Sequence, residues 1–104
     1  YEGMSPVHSL NNLALVVWAF LSFDDYDAAV GEAVTAGWDT DCNGATVGGL
    51  MGMHLSEIPP KWYEPWNGRV CTSISGLGEL VLEDLVNRTM LLVSKFSDLE
   101  DKKF

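Results

Sequence analysis

The sequence predicts an all-α fold, a small helical bundle, on three observations. Apolar residues recur at helical spacing in successive segments. Capping residues, glycines and prolines separate these segments. No stretch alternates polar and apolar residues for long enough to predict a convincing strand. The 104 residues are enough for one small domain, so we treat 1–104 as a single domain with a frayed tail over 97–104.

The first two helices are predicted on either side of an acidic break. Leu10–Phe23 carries apolar residues at helical spacing and on other faces too, so we expect burial nearly all round. Asn11 and Asn12 are interpreted as caps of this helix, with binding of a polar ligand as the alternative. The break that begins at Ser22 or Asp24 and runs to Asp27 offers good N-caps for a second helix over Tyr26–Ala36, and Gly37 is a plausible C-cap.

The third helix is predicted over roughly Asn43–Leu55, and Gly44, Gly48 and Gly52 fall on one of its faces. Each glycine costs about 1 kcal/mol relative to alanine in a helix interior. We therefore expect a backbone or a ligand to approach this face closely, with tight helix–helix packing as the alternative. The prolines at 59 and 60 end the helix.

The remaining residues predict a packed loop or short helix and one long helix. Lys61–Gly68 is rich in Trp, Tyr and Pro, which favours the loop or short helix. Leu80–Phe96 has an apolar stripe with charged residues largely outside it, which predicts the last helix.

Composition and charge exclude several classes of protein. The 15 acidic residues outnumber the 6 basic ones, giving a net charge of −9. This balance argues against a nucleic-acid binder and suits the attraction of cations. No apolar run approaches the ~20 residues that span a bilayer, so no membrane association is expected. The two cysteines form no disulfide framework, which favours a reducing, cytoplasmic location.

Hydrophobic residues make up 47% of the chain, including four Trp and four Phe. That is a large apolar load for so small a surface. We therefore expect either an unusually aromatic core or apolar surface left for a partner, as in a homo-oligomer or an association with another chain.

The most specific stretch is Gly37-Trp38-Asp39-Thr40-Asp41-Cys42-Asn43-Gly44. Two carboxylates at the start of a helix suit a hard divalent cation such as Mg²⁺ or Mn²⁺. For a bare Asp-x-Asp motif, however, capping of free N–H groups or turn formation is the commoner use. Cys42 lies beside the carboxylates, although thiolates suit softer metals. A lone histidine such as His8 before an apolar helix is more often structural than a ligand or base.

The sequence from Gly37 to Gly49 resembles the C-terminal signature of the ADP-ribosylglycohydrolase family. Supporting likenesses lie in its surroundings. His8–Leu15 is similar to the helix before the signature, Ile58-Pro59-Pro60-Lys61-Trp62 to the segment after it, and Arg69–Ser75 to the stretch before the terminal helix. The resemblance covers about residues 8 to 92.

The resemblance implies an all-α hydrolase that holds two Mg²⁺ or Mn²⁺ ions in a cleft and cleaves the glycosidic bond between ADP-ribose and an acceptor such as an arginine side chain. Asp39, Asp41 and Cys42 are then the candidate metal ligands. The family often has Thr or Ser after the second Asp, so Cys42 leaves the third ligand open or shifts the preferred ion. The candidate substrate-binding residues, for an ADP-ribose-type ligand, are Trp38, Asn43 and His8.

Family members are about three times longer, and their N-terminal half supplies a second acidic cluster and the catalytic Glu. The resemblance therefore implies that this chain corresponds to the C-terminal third only, a partial domain without an assigned catalytic residue. Our first hypothesis is a fragment or truncated form of a Mg-dependent hydrolase of this type, inactive alone. The alternative is a helical interaction or oligomerisation module derived from the same fold.

Overall fold

A computed structural model describes residues 2–101 and confirms the all-α class. The chain divides into two compact units, Tyr1–Pro59 and Pro60–Phe104. The first unit contains three helices, which are α1 (Ser9–Ser22), α2 (Tyr26–Thr35) and α3 (Thr40–Leu55). The second contains two 3₁₀ turns (Pro60–Trp62 and Glu64–Trp66), strands β1 (Arg69–Cys71) and β2 (Glu79–Val81), and α4 (Leu82–Asp101). None of the described helices combines the length and the apolar character needed to cross a membrane.

The start of α1 is capped by His8, whose Nδ1 accepts the Leu10 N–H at 3.1 Å. The predicted capping by Asn11 and Asn12 is wrong, because both residues lie inside the helix and are buried. Their side-chain amides donate instead to carbonyl groups of the segment before α1. Asp25 caps α2 as predicted, since its Oδ2 accepts the backbone N–H of Ala28 at 2.9 Å.

Helices α1, α2 and α3 pack around a small core whose members are apolar and buried: Val16, Ala19, Tyr26, Ala29, Val30, Ala33, Val47 and Met51. The expectation that the first helix is buried nearly all round is wrong. Leu10, Leu13, Val17 and Leu21 form a stripe on α1 that is 46–74% exposed. Only the side of α1 that faces α2 and α3 is covered by the described residues of this unit.

The glycine face of α3 receives side chains from neighbouring elements, which confirms the helix-packing alternative. An added Cβ at Gly44 would stand 2.9 Å from Val34 Cγ2, and one at Gly48 would stand 2.9 Å from the Tyr26 hydroxyl oxygen. Both of these contacts come from α2, so the glycines allow α2 to approach α3 closely.

The second unit contains a short antiparallel ribbon that the sequence did not predict. Arg69 pairs with Val81, Val70 with Leu80, and Cys71 with Glu79. Each strand has only three residues, too few for an alternating pattern to be recognised. No residue from 60 to 99 is buried.

Helix α4 also differs from its predicted bounds. It begins at Leu82, because residues 80 and 81 belong to β2, and it runs to Asp101, beyond the predicted end at Phe96. Residues 102–104 of the expected frayed tail lie outside the described residues.

Candidate metal centre

A sharp turn precedes α3 and sets the geometry of the candidate site. Gly37 and Trp38 are both left-handed, with φ of 88° and 62°. A bulky residue in this region is uncommon and costs roughly 1–2 kcal/mol. Asp39 follows as the N-cap, with φ −85° and ψ 73°. The turn therefore places Asp39 at the mouth of the helix and the next residues in its first turn.

Three candidate ligand atoms converge at this helix start. One carboxylate oxygen each of Asp39 and Asp41 and the Sγ of Cys42 all lie within 4.8 Å of one another. Asp39 is half-buried, and the other two residues are exposed. The Asp39 side chain makes no capping hydrogen bond to α3, so the capping interpretation is wrong for this residue. Its carboxylate faces its two neighbours instead.

The surroundings favour the ionised form of Asp41. A hydrogen bond with the Asp39 carboxyl group, followed by backbone hydrogen bonds at Asp41 and Cys42, lowers the pKa of Asp41 below its usual range. Asp41 therefore offers an ionised oxygen donor at neutral pH.

The same two carboxylates act on Cys42 in the opposite sense. A hydrogen bond with Asp39, and then the charges of Asp39 and Asp41, raise the pKa of the Cys42 thiol. The thiol therefore stays protonated at neutral pH, whereas a metal-bound cysteine is a thiolate. The donor set fits a hard divalent cation through its two carboxylates and fits it poorly through sulfur.

The charge partition of the chain supports attraction of a cation to this unit. Residues 1–59 contain no Lys or Arg, because all six basic residues follow Pro60. Eight of the 15 acidic residues lie in the same stretch. No lysine or arginine of this unit neutralises Asp39 and Asp41.

Asn12 is the residue at this site that sequence reasoning missed. Its Oδ1 accepts the Asp39 N–H at 3.2 Å and the Asn43 Nδ2–H at 2.6 Å. The signal was present in the spacing, because Asn12 precedes the buried residues Val16 and Ala19 by one and two helical turns. That spacing puts Asn12 on the buried side of α1.

The three candidate substrate-binding residues occupy different positions around this turn. Trp38 directly precedes Asp39 and is 41% exposed. Asn43 is buried, with its amide donating to Asn12. His8 is at the start of α1, and its carbonyl accepts the Asn12 Nδ2–H at 2.8 Å. Their roles toward a substrate remain predictions.

The fold is all-α, and the candidate site is a cluster of two carboxylates and a thiol at one helix start. The family model described as ADP-ribosylglycohydrolase matches residues 2–95, and the chain therefore belongs to the ADP-ribosylglycohydrolase family. No curated protein and no solved structure matches the chain.

Proposed function

We propose that this chain contributes part of a divalent-cation site to a hydrolase of ADP-ribose glycosidic bonds. Mg²⁺ or Mn²⁺ is the proposed ion, and Asp39 and Asp41 are the proposed ligands. The observation that carries the proposal is the convergence of both carboxylates and the Cys42 sulfur within 4.8 Å. Family membership supports the reaction class.

The roles of the residues follow from their chemistry. Asp39 and Asp41 would hold the ion through carboxylate oxygens and would not act as acid or base. A bound divalent ion supplies Lewis acidity and orients substrate oxygens and water. Trp38 directly precedes the ligands, and its exposed indole offers a flat apolar surface for part of an ADP-ribose-type ligand.

The proposed site is incomplete within these 104 residues. Mg²⁺ takes about six oxygen ligands, and Asp39 and Asp41 are the only carboxylates in the ligand cluster found among the described residues. We infer that the remaining protein ligands, and a second ion, depend on residues outside 1–104. In this proposal the chain corresponds to the C-terminal part of the family domain. The isolated chain is therefore expected to be inactive.

Calorimetric titration with Mn²⁺ and Mg²⁺ tests the metal site directly. The 104-residue chain is expected to bind Mn²⁺, and Asp39→Ala or Asp41→Ala to abolish most of the heat. Asp24→Ala is the matched control, because it removes one exposed carboxylate from the same unit but outside the ligand cluster. Absence of binding by the wild-type chain would exclude metal binding by these 104 residues alone, and equal loss in Asp24→Ala would contradict the assignment of Asp39 and Asp41 as ligands.

An activity assay tests the inferred incompleteness. The purified chain is incubated with ADP-ribosyl-arginine and Mg²⁺, and released ADP-ribose is measured. No turnover is expected, because the ligand shell is incomplete. Turnover that depends on Asp39 would show that these residues suffice for hydrolysis.

A second candidate function, oligomerisation, is favoured by the exposed apolar seam of α4. Leu82, Leu85, Thr89, Leu92, Phe96 and Leu99 alternate by three and four residues, the spacing of a coiled-coil a/d seam. Phe96 is 63% exposed and Leu92 is 54% exposed. A heptad seam is self-complementary, so the proposed occupant is α4 of a second copy of this chain.

Light scattering after size exclusion tests this association. A dimer mass is expected for the wild-type chain and a monomer mass for Leu92→Glu. Leu91→Glu is the matched control, since Leu91 is 71% exposed and lies off the seam. A wild-type monomer, or loss of the dimer in both variants, would exclude pairing through the seam.

A further inference from the structure

We propose that Asn12 is a positioning residue for the cation site, holding the backbone of Asp39 so that its carboxylate faces Asp41. The predicted effect on metal binding rests on the proposed function. The geometry rests only on the hydrogen bonds of one buried side chain, that of Asn12. Asn12 lies on α1, whereas the candidate ligands lie at the start of α3.

The acceptor side of Asn12 reaches the turn before α3, residues 37–39, which we call the ligand turn. Its Oδ1 accepts the Asp39 N–H at 3.2 Å and the Asn43 Nδ2–H at 2.6 Å. These partners are 27 and 31 residues away in the sequence, and they lie on either side of Asp41. One oxygen atom therefore binds the residue two positions before Asp41 and the residue two positions after it.

The donor side of Asn12 fixes the orientation of the same amide. Its Nδ2 donates to the carbonyl oxygens of Pro6 and His8, both at 2.8 Å. An asparagine amide has two N–H donors and one oxygen with two lone pairs, and all four positions are used. Because both donors are committed to the segment before α1, Oδ1 must face the ligand turn.

The adjacent Asn11 shows that burial of an asparagine on α1 does not by itself create this link. Asn11 is fully buried, and its Nδ2 donates to the Ser5 carbonyl at 3.3 Å. Its Oδ1 has no hydrogen-bond partner, and none of its described bonds reaches α3. The two residues therefore share type, helix and burial but differ in their connection to the site.

Loss of the Asn12 amide releases the ligand turn. The Asp39 N–H and the Asn43 amide would both lose their acceptor. The turn contains two successive left-handed residues, Gly37 and Trp38, so it depends on such contacts to stay in this conformation. A relaxed turn no longer holds the Asp39 carboxylate beside Asp41, and cation affinity falls.

The experiment compares Asn12→Ala with Asn11→Ala in the 104-residue chain. Mn²⁺ affinity is measured by calorimetry, and protection of the Asp39 amide by hydrogen exchange. For Asn12→Ala we expect about a 10- to 100-fold weaker affinity, the usual effect of removing a residue that orients a metal ligand. We also expect exchange at Asp39 to accelerate at least about tenfold, because its N–H loses its acceptor. Asn11→Ala should leave both quantities near the wild-type values.

Asn12→Asp serves as the second variant if Asn12→Ala does not fold. It loses the donors to Pro6 and His8, but both of its carboxylate oxygens are acceptors, so one oxygen reaches the Asp39 N–H whichever way the side chain turns. The Asp39 amide should therefore remain protected. Loss of that protection would overturn the proposal, as would equal effects of Asn12→Ala and Asn11→Ala.

The experiment distinguishes failure of the proposed function from failure of the proposed role of Asn12. If the wild-type chain binds no Mn²⁺, these 104 residues do not form a metal site alone, and the predicted effect of Asn12 on Mn²⁺ affinity is refuted. Hydrogen exchange at Asp39 then still decides whether Asn12 holds the turn.

Discussion

Replacing Gly48 with alanine brings a methyl group 2.9 Å from the Tyr26 hydroxyl oxygen and 3.7 Å from Val30 Cγ2. Tyr26 is only 8% exposed and its ring is rigid, so it cannot move away cheaply. The added methyl group is overpacked, which typically costs about 1–3 kcal/mol. Against this cost, alanine gains about 1 kcal/mol over glycine in a helix interior.

Gly49→Ala provides the matched control, because an added Cβ at Gly49 meets nothing within 4 Å. This variant should stabilise the chain by about 1 kcal/mol from helix propensity alone. Gly48→Ala carries the same gain together with the clash, so it should be about 1–3 kcal/mol less stable than Gly49→Ala. For a domain of this size the difference corresponds to roughly 4–8 °C in Tm per kcal/mol.

Urea denaturation of the two variants and the wild-type chain, monitored by circular dichroism, measures this difference in stability. The m value should stay unchanged, so that the shift in midpoint reports stability. If Gly48→Ala were as stable as Gly49→Ala, α2 would not pack against the glycine face of α3 as described. The reasoning from close helix approach would then be refuted.

Three further predictions concern titration, ligand chemistry and a surface ion pair. Burial, with a smaller contribution from the nearby Asp27 charge, raises the pKa of Tyr26. The unfolded chain therefore loses its phenol protons first, and the free energy of unfolding should fall as pH rises above about 10. Urea denaturation from pH 8 to 11 should show that Tyr26→Phe reduces this fall, and an unchanged fall would contradict the assignment to Tyr26. Cys42→Thr replaces a protonated thiol with a hard oxygen donor, so calorimetry should show tighter Mg²⁺ binding; unchanged affinity would mean that residue 42 does not face the ion. Arg69→Gln breaks a half-exposed ion pair of 3.3 Å with Glu79 and should change the free energy of unfolding by less than about 1 kcal/mol, an effect reduced further in high salt.

The helices of the first unit were largely predictable because their signals are local. The second helix begins at Tyr26 as predicted, and Asp25 caps it. The third begins at Thr40, three residues earlier than predicted, because the Asp-x-Asp motif was interpreted as a lead-in while Asp39 is itself the N-cap. The exposed stripe of α1 was not predictable, since periodicity shows which residues are apolar and not which are covered.

The candidate site, like the fold, was predictable from the sequence only in part. The two residues Asp39 and Asp41 are two positions apart, so the sequence places both at one helix start. Residues i and i+2 within a helix do not face each other, and the non-helical backbone of the N-cap Asp39 allows the two carboxylates to converge. The hydrogen bonds of Asn12 join residues 27 and 31 positions apart, and only tertiary packing of α1 against α3 brings these together. The ribbon of β1 and β2 was missed for a related reason, because its short strands depend on pairing across residues 72–78.

The absence of lysine and arginine from residues 1–59 has a practical consequence for proteolysis. Trypsin cleaves after basic residues, and Lys61 is the first such residue in the chain. The stretch up to Lys61 therefore contains no tryptic bond, and Lys61 lies two residues past Pro59, where the first unit ends. A brief digestion should release the helices α1 to α3 as one piece, recognisable by its mass, with the three candidate ligands retained.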